Sequence, residues 1–226
     1  ADRDWSSDVC SSDLTTKVLS FTSPNLTGAS QTAFTLTHGV AAKIQTNPGT
    51  NGVFTVMSGS RASGQVFGRQ PAVAILDADD NLVDTGAESN QTITVSVNGT
   101  GLTGTTTVTA AGGKAAFSGL MMTGVAGNYI MSYVANTSGT TASTNFDLYY
   151  GAAAKLTLTT LAAGFVNATD FTTQPVITVQ DSAGNTVANS SISIDVTIDS
   201  GNLTGPTQVR AVNGIATFAG LGKTGL

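Results

Sequence analysis

The sequence holds one histidine, one cysteine and one tryptophan among 226 residues, and only 10% of its residues are charged. Each shortage closes a class of function. Hydrolytic triads and transition-metal sites need a base or a ligand set, and His38 alone supplies neither. Glycoside hydrolysis needs two carboxylates facing one another across a cleft, whereas the acids here fall mainly in turn-like stretches. Basic residues are scattered, so there is no nucleic-acid footprint. No apolar run reaches eighteen residues, which leaves no helical membrane span in this window. The chain therefore reads as non-enzymatic, with no catalytic or cofactor-binding residue to nominate.

What remains is rich in residues of strands and turns. Glycine occurs 26 times, and Thr, Ser, Ala and Val make up most of the rest, a composition that suits short strands and tight turns rather than amphipathic helices. Runs such as AVAI, TITVSV, TTVTA, NYIMSYV, NFDLYY and KLTLTTL alternate with period two between Gly, Asn, Asp and Ser. An all-β fold follows. About seven strands in roughly 110 residues match a two-sheet sandwich, with Val, Ile, Leu and Phe on the inner face and Thr and Ser in water.

The chain also repeats itself. QPAVAILDADDNLV from Gln70 aligns with QPVITVQDSAGNTV from Gln174 at an offset of 104, and further on the offset drops to 101. TITVSV from Thr92 there sits over SISIDV from Ser191, and Leu102/Leu203, Phe117/Phe218 and Leu120/Leu221 are apolar anchors of a shared frame, L-T-G-x-T-x-V-x-A-x-x-G-x-A-x-F-x-G-L, which allows Pro206 at its fourth place in the second copy. NFDLYYGAAAKL ending at Leu156 matches AFTLTHGVAAKI ending at Ile44 at an offset of 112, and that register pairs YIMSYV from Tyr129 with KVLSFT from Lys17. His38 thereby stands opposite Tyr150, as a surface residue at a junction. The expected organisation is the last two strands of a truncated module over 15–38, a complete module over 39–150 and the front of a third over 151–226.

These strings, with AAAKLTL, AGNYIMSYV and TNFDLYY, resemble the bacterial immunoglobulin-like repeats of large surface and secreted proteins, in the style of invasin, intimin and filamin modules. The resemblance spans residues 15–226. It implies tandem immunoglobulin-like sandwiches acting as a stalk, spacer or adhesin outside the cell or on a bacterial surface, with neighbouring modules of the same chain as partners. It carries no catalytic motif and names no surface ligand. Tyr129 followed by Met131 fits the spacing of a tyrosine corner at the start of the sixth strand.

Two stretches offer binding chemistry. DADDN, Asp77 to Asn81, is the densest acidic spot, and Asp77, Asp79 and Asp80 are calcium candidates because Ca²⁺ takes six to eight oxygens. A hairpin turn is the stronger reading, because the second copy has DSAGN there, with Asp80 at the place of Gly184. Residues 45–71 form an insertion, since the whole module exceeds the next copy by eight residues. Added loop length is where binding variety is cheaply placed, which singles out Phe54, Arg61, Phe67 and Arg69 for contact with a carbohydrate or protein partner. A third reading is the accessory stalk of an exoenzyme.

The first fourteen residues, ADRDWSSDVCSSDL, hold Trp5 and Cys10 and align with no module. Residues 4–14 resemble the one-frame translation of a common sequencing adapter, so residues 1–14 are expected to be a cloning or assembly artefact. Without Asp2, Asp4, Asp8, Asp13 and Arg3, the formal charge changes from −5 to a balance of 8 basic and 10 acidic groups. Cys10 then supports no inference about redox compartment.

Overall fold

The computed structural model describes residues 16–46, 61–136, 139 and 141–225. Among these the chain is all-β, with short, mainly antiparallel strands and a single 3₁₀ turn at Ala87–Asn90. It divides into two compact units. One gathers residues 1–60, 66–121 and 128–146, and the other 61–65, 122–127 and 147–226.

In the first unit, Thr107–Thr109, Thr92–Val97, Gly127–Ala135 and Thr141–Leu148 form a four-stranded sheet in that order, and Lys114–Ala116, Ala72–Leu76 and Lys43–Thr46 form a three-stranded one. Period-two alternation does what it implies. Ile93 and Val95 are buried while Thr94 and Ser96 are exposed, and in the central strand Ala72–Leu76 every residue after the first is buried. Two aromatic pairs mark the core: Phe67 meets Phe146 edge-on at 5.6 Å, and Phe117 meets Tyr133 at 5.8 Å. Such pairs add about 0.5–1.5 kcal/mol to the burial of the rings.

The second unit repeats several backbone and side-chain bonds of the first. Lys155–Thr160, Val176–Gln180 and Ile215–Thr217 form its three-stranded sheet. Phe67 N–H donates to Leu120 O as Phe171 N–H does to Leu221 O, and Val83 to Ile75 as Val187 to Val179. Gln70 closes one corner by donating to Phe67 O and Leu120 O and accepting Leu120 N–H; Gln174 does the same with Phe171 and Leu221. Pairing register corrects one alignment. Thr107 faces Thr94 and Gln208 faces Asp195, so Ile93 and Val95 correspond to Ile194 and Val196, two residues further along than string matching from Ser191 places them.

Glycine is compulsory at one pair of equivalent turns. Gly104 and Gly205 have φ of 103° and 79°, and a Cβ at either would run into the carbonyl of Gly119 or Gly220. The LTG of the shared frame is thus a steric requirement.

The copies differ at one sheet edge. The strand Thr92–Val97 is paired on both sides, but its counterpart Ser193–Asp195 pairs only with Gln208–Arg210. Beside that free edge lies an open apolar groove of about 510 Å³, lined by residues including Leu156, Ile177, Phe171, Ile194 and Phe218. Residues 16–35 form a small hairpin in which Thr16–Lys17 pairs with Phe34–Thr35 and Ser20–Phe21 with Ala29–Ser30. Residues 16–37 are exposed throughout.

Among the nominated structural residues, Phe117, Met131 and Phe218 are buried. Tyr129 is half-buried and stacks on Phe146 at 5.9 Å. The fully buried ring is Tyr133, whose hydroxyl donates to Met131 Sδ at 2.9 Å.

Candidate functional site

The acidic turn is a fastener built on a buried carboxylate. Asp77 Oδ1 accepts the N–H of Asp79 at 3.0 Å and of Asn81 at 2.9 Å, the local bonding that makes Asp a turn former. Its Oδ2 accepts the Asn81 side-chain amide at 3.0 Å and, from 38 residues upstream, the Gly39 N–H at 2.8 Å. Asp80 takes the left-handed conformation, φ 69°, that Gly184 takes in the second copy at 94°, as the alignment implied. Lys43 Nζ pairs with Asp80 at 2.6 Å and donates to Ala78 O at 3.3 Å.

The second copy keeps the device. Asp181 Oδ1 accepts Asn185 N–H at 2.9 Å, and Oδ2 accepts the Asn185 amide at 2.8 Å and Gly151 N–H at 2.7 Å. Asn185 has a further role there: its Oδ1 accepts Ala126 N–H at 2.7 Å and its Nδ2 donates to Gly124 O at 2.9 Å. All these residues belong to the second unit. Stretches of 38 and 30 residues, Gly39 to Asp77 and Gly151 to Asp181, are thus closed by the equivalent acceptor atom, Oδ2.

Burial pushes both carboxyls up, but the donors outweigh it. Asn81 and the N–H groups of Gly39 and Asp79 hold Asp77 below the ordinary carboxylate value, and Asn185, Gly151 and Ala183 do the same for Asp181. Asp77 is therefore ionised and already surrounded by N–H donors, while Asp80 faces Lys43. Among the described residues no group of three or more His, Cys, Asp or Glu is placed to hold a metal ion. Asp77, Asp79 and Asp80 lie in a hydrogen-bonded turn.

His38 sits beside the same junction. Its Nδ1 donates to Gly39 O at 2.8 Å, and its Nε2 accepts from the Thr85 hydroxyl at 2.8 Å, with Asp84 at 3.8 Å. Glu88 Oε2 accepts Ala41 N–H at 2.7 Å. These bonds hold the His38–Ala41 segment against the Asp84–Glu88 loop of the same unit.

The inserted loop is corrected at one position. Phe67 does not reach out to a partner, because it is buried against Phe146; the insertion ends before it and Phe67 starts the framework again, opposite Phe171. Arg61 lies 6.0 Å from the Tyr149 ring, a cation–π arrangement inside the second unit. Arg69 is exposed. Phe54 lies outside the described residues.

No family model and no curated protein matches the chain. Among solved structures, β-glucuronidase 3 of Bacteroides uniformis is 14% identical with a TM-score of 0.23, covering 77% of this chain and 21% of the enzyme. Two structures of Parabacteroides merdae β-glucuronidase are 15% identical with TM-scores of 0.21. The chain spans about a fifth of the length of those enzymes, and their activity is not transferred to it. No helix among the described residues is long and apolar enough to cross a membrane.

Proposed function

We propose that the chain is a segment of a non-catalytic repeat array, a stalk or spacer of a large bacterial surface or secreted protein with an adhesive role. The reading rests on one observation above the others. Each repeat begins with a glycine, Gly39 or Gly151, whose N–H is fastened to the buried turn aspartate of that repeat. A link of this kind holds the first residue of a copy to that copy's own body, which suits a repeated spacer module. Polypeptide faces made of Thr and Ser with few charges suit the same role, because they keep strands solvated without attracting a charged partner.

The test is a series of proteins carrying one, two and three complete copies of residues 39–150, measured by small-angle X-ray scattering. A stalk adds a constant increment to the maximum dimension with every copy. A maximum dimension that stays nearly unchanged from one copy to three overturns the proposal.

A further inference from the structure

The second unit is built from more than one copy of the repeat. It includes Arg61–Gln65 and Met122–Gly127, two segments that the repeat register assigns to the copy 39–150. These loops brace one another: Gly64 N–H donates to Met122 O at 2.9 Å, Gly124 N–H to Ser63 Oγ at 3.1 Å, and Gln65 N–H to Ala62 O at 3.1 Å. The later copy makes the same pair. Ala168 N–H donates to Lys223 O at 2.8 Å, Gly225 N–H to Asn167 Oδ1 at 3.0 Å, and Thr169 N–H to Val166 O at 3.2 Å. Every partner falls at the offset of 104 or 101 that relates the copies, and Gly64 and Ala168 share a positive φ, 74° and 63°. A braced loop pair is therefore a property of the repeat.

The loops of the earlier copy hold the start of the later one. Ser63 N–H donates to Tyr149 O at 2.8 Å and Tyr149 N–H to Arg61 O at 2.9 Å, so residues 61–63 run beside the junction. Ser63 O comes so close to Gly151 that a Cβ there would overlap it. Asn185 joins the turn of the later copy to the second loop: its Oδ1 accepts Ala126 N–H at 2.7 Å, and its Nδ2 donates to Gly124 O at 2.9 Å. A side-chain amide carries an acceptor and two donors, so it can match a peptide N–H and a peptide C=O together. Ser63, Gly151 and Asn185 are buried, where such bonds are strongest. All of these contacts lie inside the second unit.

We infer that the braced loop pair is the acceptor by which one repeat receives the next, its occupant being the junction glycine and the Asp–Asn turn of the following repeat. Two residues of the occupant carry the recognition. The glycine leaves room beneath the carbonyl at position 63, and the asparagine four residues after the turn aspartate meets the two peptide groups of the second loop. Gly39, Asp77 and Asn81 repeat that signature in the earlier copy. Acceptor and occupant are different parts of the same repeat, so the contact is head-to-tail and can propagate along an array. This acceptor deepens the array reading and rests on it, yet it is read at single amides, so the scattering series can fail while the acceptor stands, and the reverse.

Backbone amide hydrogen exchange of the full chain reads the occupant at the Ala126 N–H. The expected result is slow exchange in the unaltered chain and exchange at least roughly tenfold faster in Asn185→Ala. Asn81→Ala removes the matching amide from Asp77 and leaves Ala126 at its original rate. Gly151→Ala pushes against Ser63 O and speeds Ala126 as Asn185→Ala does, whereas Gly39→Ala, whose Cβ would make ordinary contact with Asp77, does not. Val187 and Phe218 stay slow in all four variants, which shows that the later copy remains folded. Three results overturn the inference: an Ala126 amide that exchanges at the unfolded rate in the unaltered chain, one that neither Asn185→Ala nor Gly151→Ala accelerates, or equal acceleration at Ala126, Val187 and Phe218, which would assign Asn185 to the folding of its own copy alone.

Discussion

Gly151 donates its N–H to Asp181 Oδ2 across 2.7 Å, and both groups are buried. The bond joins the first residue of a repeat to the turn between two of its strands, and Gly39 and Asp77 reproduce it. Four features of the sequence meet at that atom: an aspartate, an asparagine four residues on, a residue between them with positive φ, and a junction glycine. A Cβ at position 151 would collide with the carbonyl of Ser63, so the junction glycine is required by space as well as by slack.

Replacing either aspartate removes one acceptor from several donors, part-buried around Asp77 and buried around Asp181. Asp77→Ala and Asp181→Ala are each expected to destabilise the unit concerned by about 2–3 kcal/mol, because buried N–H groups left unpaired cost about 1–3 kcal/mol. Urea denaturation followed by circular dichroism measures this. A loss below about 0.5 kcal/mol for both would show that the turns hold without their carboxylates.

The two carboxylates also set a pH dependence. Their folded pKa lies below the unfolded value of about 3.9, so their contribution is complete above that value and is lost as pH falls through the depressed folded value. The urea midpoint is therefore expected to be level from pH 8 to 5 and to fall below about pH 4. In the double variant Asp77→Asn with Asp181→Asn the fall below pH 4 should be shallower. An unchanged slope would assign the acid sensitivity to other groups.

Gly104→Ala and Gly205→Ala force a Cβ onto a facing carbonyl at positive φ, whereas Gly119→Ala, at φ 64°, meets nothing within 4 Å. The first two should cost about 2–4 kcal/mol and the third about 1 kcal/mol, the price of the left-handed conformation alone. Equal losses in thermal or urea unfolding would mean that the backbone at the LTG turns relaxes.

Phe117→Ala removes a ring packed against Tyr133 and should cost about 3–5 kcal/mol. Phe218→Ala should cost less, because its ring borders the open groove and leaves fewer contacts behind. Site-resolved hydrogen exchange in each unit compares them. Equal losses would mean that the groove is filled in solution.

The strands were legible because their period-two runs and turn residues agree, and the repeat was legible because both copies keep their apolar anchors. Asp80 could be read from Gly184 alone, since local turn chemistry lies within five residues. The Gly39–Asp77 bond could not, because it joins atoms 38 residues apart and neither residue type signals a distant partner. Tyr129 and Tyr133 stand in one strand, and only packing decides which ring turns inward. Nothing in the neighbours of Phe67 marks where the loop rejoins the framework; its match to Phe171 in the Gln70/Gln174 register does so.

Backbone amide hydrogen exchange on the full chain tests most directly whether both units are copies of one module. Equivalent amides, such as Gly39 and Gly151, Val83 and Val187, and Phe117 and Phe218, are expected to be protected in pairs, so that each unit shows the same pattern of slow sites. Slow exchange confined to residues 66–146, with Gly151, Val187 and Phe218 exchanging at the rate of an unfolded chain, would contradict it.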